Sequence, residues 1–303
     1  MAAARAPFDR DTAYEALTAA TADLPYDPAD AELVRLGSYA VFRLRGLPVI
    51  ARVGRSESLL PVARREVAVA EWLASAGIPA VRVLDLDLEQ PIVVNGRIVT
   101  LWESASDEVE YGTPAELAEL LRQLHALTPP ASLDLPNLQP LGRATDRVDQ
   151  ADGLDEDQRG FLRDKAKELT EAYDGLEFAL PIGVVHGDAN VGNVFRDRND
   201  RPLFGDLDGF AIGPREWDLL QTAMFFDRYG WHNEGEYRAF TDVYGFDMLA
   251  WPGYETLAQT KEFLMVTWMA QNAGHGDAKV DAELAKRIDS LRTGASRKDW
   301  APF

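Results

Sequence analysis

The chain has 303 residues, 46% hydrophobic and 27% charged, with a net charge of −19 and no cysteine. This is a globular composition with enough length for a sizeable core, in one large or two medium domains; it excludes disulfides and thiolate metal sites. The acidity argues against DNA or RNA as a partner, since phosphate backbones need a basic face. It suits a solvated acidic surface, with field focusing toward a cationic small molecule as the functional alternative. The longest dense apolar run, FLMVTWMA, is too short to cross a bilayer. The stretch MAAARAPFDRDTAYEAL lacks the apolar core of a signal peptide, so a cytoplasmic protein is expected.

In chain order, the first hundred residues read as strands plus one helix. YAVFRL and LPVIARV form a hairpin about Arg45-Gly46. LPVARREVAVAEWLASAG reads as a helix, with Pro61 at its start and Gly77 as its stop. AVRVLDLDL, PIVV and GRIVTLW read as further strands, the last two joined by an Asn95-Gly96 turn. ESASDEVEYG is a polar linker. In TPAELAELLRQLHAL, Thr113, Pro114 and Glu116 make a capping box with proline at the first helical position. Further helices are expected at about 157–174, 214–229, 233–243, 254–273 and 278–292. The division is therefore a strand-rich part over 1–103 and a helical part over 104–303, a kind of boundary where ligands commonly bind.

One β-like segment interrupts the helices: VVHGDANVGNVFRDRNDRPLFGDLDGFAIGPREWDLL. NVF and PLFGDL are strands joined by the turn DRND. A hairpin brings its ends together, so Asn193 and Asp206 can face one point, with Asp188 on the preceding loop. An amide oxygen and a carboxylate suit a hard cation such as Mg²⁺ that also takes phosphate oxygens. Asp188 is then free to accept a proton from an attacking hydroxyl. Each residue alone would serve equally as a turn or cap residue; the set together points to chemistry.

The combination of HGDANVGN with FGDLDGFAIGPREWDL resembles the aminoglycoside phosphotransferase family, and TWMAQNAG and RKDWAPF look like a bacterial subgroup of it. The resemblance implies an α+β, bilobal, protein-kinase-like fold: a small N-terminal lobe with an antiparallel sheet plus one helix, and a larger, mainly helical C-terminal lobe. It implies an ATP-dependent kinase (GTP is the other possible donor) that requires Mg²⁺ and phosphorylates a hydroxyl of a small molecule. Carried onto this chain, Asp188 is the catalytic aspartate, and Asn193 and Asp206 hold the metal. His186 braces the loop, Asp218 accepts hydrogen bonds from its backbone, and Asp208 either approaches a second metal or caps the turn.

A kinase-like small lobe also needs a cation on its third strand and a glutamate on the next helix. The family usually supplies lysine, but this chain has none before Lys165. Arg52 stands in that place. Glu66 lies on one helical face with Val62, Val69, Ala70 and Leu73, and a carboxylate there needs a partner; Arg52 is the natural one. Gly37 and Ser38 either cover a phosphate through their amides or form a plain hairpin turn. Backbone groups of Trp102 and Glu103 are placed near the adenine ring.

For the acceptor, Asp227, Glu234, Glu236 and Glu262 are candidates to meet a cationic molecule such as an aminoglycoside, the basis for expecting antibiotic resistance. Solvated helix faces are the alternative for each. His232 and His275 have no metal-like spacing. A housekeeping kinase of an amino sugar, a choline-like or a homoserine-like alcohol shares all these motifs, and a nucleotide-binding pseudokinase is a third reading. A monomer or homodimer is expected, with no nucleic-acid or membrane partner.

Overall fold

The computed structural model describes residues 8–271, 273 and 277–301; His275 and the last two residues of RKDWAPF lie outside them. The helices are α1 (Arg10–Thr21), α2 (Leu60–Ser75), α3 (Pro114–His125), α4 (Ala144–Gln150), α5 (Glu156–Asp174), α6 (Glu216–Asp227), α7 (Glu234–Tyr244), α8 (Tyr254–Ala270) and α9 (Ala278–Thr293). The strands are β1 (Glu32–Leu36), β2 (Tyr39–Leu44), β3 (Val49–Gly54), β4 (Ile92–Val94), β5 (Arg97–Glu103), β6 (Ile182–Val185), β7 (Val194–Arg196), β8 (Pro202–Phe204) and β9 (Ala211–Pro214). They form two compact units. One runs through the described residues to Pro136 and takes in Val191–Phe210; the other comprises Asn137–Asn190 and the chain from Ala211 onward.

The first unit is built on an antiparallel five-stranded sheet of order β1-β2-β3-β5-β4. Strand alternation divides its faces. Ala40, Phe42, Val49, Ala51, Val53, Val99 and Leu101 point to one side and are buried against Ala13, Ala16, Leu17 and Ala20 of α1. The opposite face carries Val41, Arg52 and Thr100, which stand side by side in register. The β4–β5 connection is the Asn95-Gly96 turn, with φ of 51° and 72°, the doubly left-handed geometry of a type I′ hairpin. α3 opens with the Thr113–Glu116 capping box.

Three local expectations change. The first hundred residues hold two helices, because Asp9 and Thr12 cap α1 reciprocally and its alanine-rich stripe finds the sheet. A strand, β1, forms over Glu32–Leu36 and pairs with β2. AVRVLDLDL is not a continuous strand: the Val81 N–H bonds the Phe204 carbonyl and the Leu84 N–H bonds Leu101, so the segment switches partners instead of following one ladder. The hairpin β7–β8 completes this unit, docked through Phe204 to Pro79 and Val81.

In the second unit, α8 packs against α4, α5, α6 and α9. It is apolar on most sides, with Leu257, Ala258, Phe263, Val266 and Met269 all buried, as a central helix must be. β6 and β9 pair antiparallel, Val185 opposite Ala211 and Ile182 opposite Pro214. α6 begins two residues after β9 and is buried continuously from Glu216 to Met224. α4 is a short helix additional to those expected from periodicity. Among the described residues, no helix is long and apolar enough to cross a membrane.

Candidate active site

In the first unit, the sheet face opposite α1 presents Arg52 from the centre of β3. Its Nη1 donates to Oε1 of Glu66 on α2, and its Nη2 lies 3.9 Å from an Asp206 oxygen. The guanidinium lies over the Tyr39 ring at 4.5 Å and 6.0 Å from the Trp102 ring. Glu66 is buried to 1% exposure, and burial pushes its carboxyl above the usual glutamate range against the pull of Arg52 and the Leu207 N–H. Burial likewise pushes the Tyr39 hydroxyl up to about 12. A buried carboxylate with a fixed guanidinium partner satisfies the rule that interior charges pair.

Asp206 follows β8 and has left-handed backbone angles, φ 48° and ψ 64°. Such a conformation in a non-glycine residue stores strain of about 1–3 kcal/mol and is characteristic of sites. A Cβ on Gly205 before it would stand 2.0 Å from the Phe195 ring, so any other residue there must displace that ring. The β7–β8 register continues one step beyond the strands, since the Gly205 N–H donates to the Asn193 carbonyl at 2.8 Å. Asn193, closing the turn Val191–Asn193, is thereby held next to the residue that precedes Asp206. Asp208 follows in the 3₁₀ turn Leu207–Gly209.

Gly37 and Ser38 form the β1–β2 turn, their carbonyls accepting from the Arg55 side chain and Arg55 N–H. A Cβ on Gly37 would meet nothing within 4 Å. Trp102 is buried and its indole donates to Thr100, while the Glu103 N–H bonds the Arg82 carbonyl.

In the second unit, β6 delivers the loop His186-Gly187-Asp188. His186 is wholly buried. The N–H groups of His186 and Gly187 donate to the two oxygens of Asp218 at 2.6 and 2.8 Å, and the Trp217 indole donates to the Gly187 carbonyl at 2.8 Å. Gly187 has φ of 86°, a turn open to glycine that aims the next side chain outward. Asp188 Oδ1 accepts from Gln221 Nε2 at 2.9 Å and from Lys261 Nζ at 3.0 Å. Its side chain keeps 46% exposure. Burial works to raise the Asp188 carboxyl, but the Lys261 ammonium, with help from His186 and Gln221, outweighs it and holds the group below the usual aspartate range.

Asp218→Ala strands two backbone donors behind the loop. The expected loss is roughly 1–3 kcal/mol per donor left unsatisfied, read as a lower urea midpoint with an impaired turnover, while Asp218→Asn keeps one acceptor and loses less.

The acceptor candidates fall in separate places. Asp227 accepts from the Tyr254 hydroxyl at 3.1 Å. Glu234 pairs with Arg238 on the surface, and Glu236 closes the α7 capping box with Asn233. Glu262 is wholly buried, one oxygen bonded by Arg228 and the other by Arg297. His232 packs on Phe225, and burial holds its imidazole below the usual range.

Sequence reasoning missed Tyr39, Gln221 and Lys261. Trp217, Asp218 and Gln221 share a face of α6 at helical spacing, which is a legible signal.

Among the described residues no group of three or more His, Cys, Asp or Glu is placed to hold a metal. The donors on offer are an amide and a carboxylate at the open end of one hairpin, with the Asp206 side chain 42% exposed. That set fits Mg²⁺, which keeps waters and takes phosphate oxygens for its remaining positions.

The sequence model of the phosphotransferase enzyme family matches residues 30–258. Among solved structures, an amicoumacin kinase in complex with AMP-PNP, Ca²⁺ and Ami superposes with a TM-score of 0.72 at 12% identity, covering 97% of this chain and 96% of the other. A spectinomycin phosphotransferase in complex with ADP and spectinomycin gives 0.62 at 13% identity, over 94% of each chain. A choline/ethanolamine kinase family protein from Mesorhizobium loti gives 0.59 at 18%, over 93% and 94%. At these identities the likeness carries the fold, which is protein-kinase-like. With more than half its length matched by the family's sequence model, the chain belongs to the phosphotransferase enzyme family.

Proposed function

We propose that this phosphotransferase moves the γ-phosphoryl group of ATP, bound with Mg²⁺, to a hydroxyl of a small molecule in the cytoplasm. Residues 1–103 serve the nucleotide and 104–303 supply the catalytic loop and the acceptor site. The observation that carries the reading is Asp188: a carboxylate kept ionised, one oxygen fixed by two donors, on a loop whose backbone is clamped by Asp218. That is the state a base needs to receive a hydroxyl proton.

In this reading Asp188 orients the acceptor hydroxyl and takes its proton as the oxygen bonds the γ-phosphorus. The bond from that phosphorus to the β-phosphate oxygen breaks, and ADP leaves. Arg52, held by Glu66, contacts phosphate oxygens, and its planar fork replaces the point charge of a lysine. Backbone groups at Gly37, Ser38, Trp102 and Glu103 border the nucleotide. Asn193 and Asp206 would hold Mg²⁺, which when bound neutralises charge on the phosphates. The neighbours solved with AMP-PNP and Ca²⁺, or with ADP, support a nucleotide and a divalent cation here.

An antibiotic of the aminoglycoside or a related class is the first acceptor to test, on the strength of the neighbours crystallised with Ami and with spectinomycin and of the net charge of −19. A cationic acceptor would be met by Asp227, Glu234 and Glu236; Glu262 faces Arg228 and Arg297 instead. The ammonium of Lys261 beside Asp188 favours a second reading, a metabolic alcohol without dense positive charge.

The test is release of ADP from ATP, or of GDP from GTP, over a panel of antibiotics and metabolic alcohols, with Mg²⁺ or with EDTA. ADP release with at least one alcohol, abolished by EDTA, is expected. Nucleotide binding without turnover on any of them would count against the proposal.

A further inference from the structure

We infer that Lys261 is a positioning residue for the phosphoryl transfer, a fixed cation that orients the Asp188 carboxylate. The inference rests on Asp188 being the base, and goes beyond it by assigning a residue of α8, 73 positions away in sequence.

The placement of Lys261 is costly unless the pairing matters. Its side chain is 13% exposed, on a helix that also buries Leu257, Ala258, Phe263 and Val266. An ammonium in such a setting must be paired or lose its charge. The partner is Asp188 Oδ1, at 3.0 Å. The indole of Trp217, itself anchored to the Gly187 carbonyl, lies 5.5 Å from Nζ, so a cation–π contact braces the ammonium from one side. Gln221 Nε2 donates to the same oxygen from α6. Two helices thus converge on one carboxylate oxygen, which defines the plane of the group and leaves its half-exposed side to solvent and acceptor.

Among the described residues, the groups that face Asp188 include Lys261 from α8, Gln221 from α6, and His186 from its own loop, with Asp218 bonded to the backbone behind. Of these, Lys261 brings the only ammonium. A neutral residue there leaves burial as the largest influence, and the Asp188 carboxyl moves up. The sign follows directly. With Lys261 in place, Asp188 stays ionised as pH falls from 8 to 5; without it, protonation begins at a higher pH and the base is lost sooner on the acid side.

The experiment uses the full chain labelled with ¹³Cγ-aspartate, the Asp188 signal being assigned by its absence in Asp188→Asn. In the wild type this signal is expected to stay flat between pH 8 and 5. In Lys261→Met it should begin to titrate at a higher pH than in the wild type, and Lys261→Arg should restore the wild-type profile. Lys261→Gln keeps a donor of similar reach without the charge; it should titrate as Lys261→Met does, and serves if the methionine variant does not fold. ADP release with ATP and Mg²⁺ should fall about 10- to 100-fold in the uncharged variants, through kcat more than KM. An Asp188 profile unchanged from the wild type in both uncharged variants, followed to the acid end, overturns the inference. So does an unchanged kcat in a variant whose Asp188 titrates at a higher pH. A fully active Asp188→Asn, by contrast, sinks the assignment of the base while leaving the measured pairing in place.

Discussion

Asp188→Asn lowers turnover by on the order of 10³-fold while nucleotide binding stays close to wild type and the unfolding midpoint falls only by what the lost Lys261 ion pair contributed. The magnitude is that of losing a positioned acid–base group. Asparagine is the same size and can still accept from Gln221 and Lys261 through its amide oxygen, so the loop clamped by Asp218 keeps its shape. What it cannot do is take up a proton. The loss should therefore appear in kcat with little change in the KM for ATP, measured by ADP release with an acceptor found in the panel. The wild-type pH profile gives a second check. Because the Lys261 ammonium and its companions hold the Asp188 carboxyl below the usual range, acidification from pH 8 to 5 should not switch this group off. The same shift contributes stability above the unfolded-state value, lost only as pH falls through the lowered folded one. An Asp188→Asn enzyme with undiminished kcat removes the residue from the chemistry.

Arg52→Ala should be the most damaging single change to stability in the first unit. It abandons Glu66 at 1% exposure with no cation beside it. Removing one partner of a buried pair costs about 3–5 kcal/mol, because the remaining charge is left uncompensated. Burial already raises the Glu66 carboxyl, and without the guanidinium nothing comparable opposes it. In the folded variant Glu66 holds a proton more tightly than in the unfolded chain. Stability of Arg52→Ala must then decline as pH rises from the ordinary glutamate value through the raised folded one, and be best preserved at the acid end. Urea unfolding at a series of pH values reads this slope. Adding Glu66→Leu to Arg52→Ala should recover most of the lost stability but none of the activity, which separates the structural duty of the pair from its phosphate contact. If the single and double variants unfold alike, the pair carries no such energy.

Much of this architecture could be anticipated from local pattern. Helices α2, α3 and α5 to α9 announce themselves by apolar spacing and by caps such as Thr113–Glu116. The Asn95-Gly96 turn is dictated by its own φ requirement. The HGD loop and the GDLD strand end are recognisable because each packs its polar atoms into a short contiguous stretch. Where the reading failed, the deciding partner was remote. α1 has a weak alanine stripe whose value appears only once a sheet face covers it. AVRVLDLDL alternates like a strand, yet its amides find two different partners.

The candidate site divides along the same line. Residue types and their order along the chain were enough to nominate Asp188, Asn193, Asp206, Arg52 and Glu66, since each sits in a motif or at a periodic position. Nothing in local spacing could select Lys261 from the chain's other lysines, or show that both oxygens of Glu262 are occupied by arginines. Those outcomes depend on helix packing, which brings α6 and α8 within hydrogen-bond reach of one loop. Hydrophobic periodicity tells a helix which face to bury; which distant charge that burial delivers to a carboxylate is settled by three-dimensional packing alone.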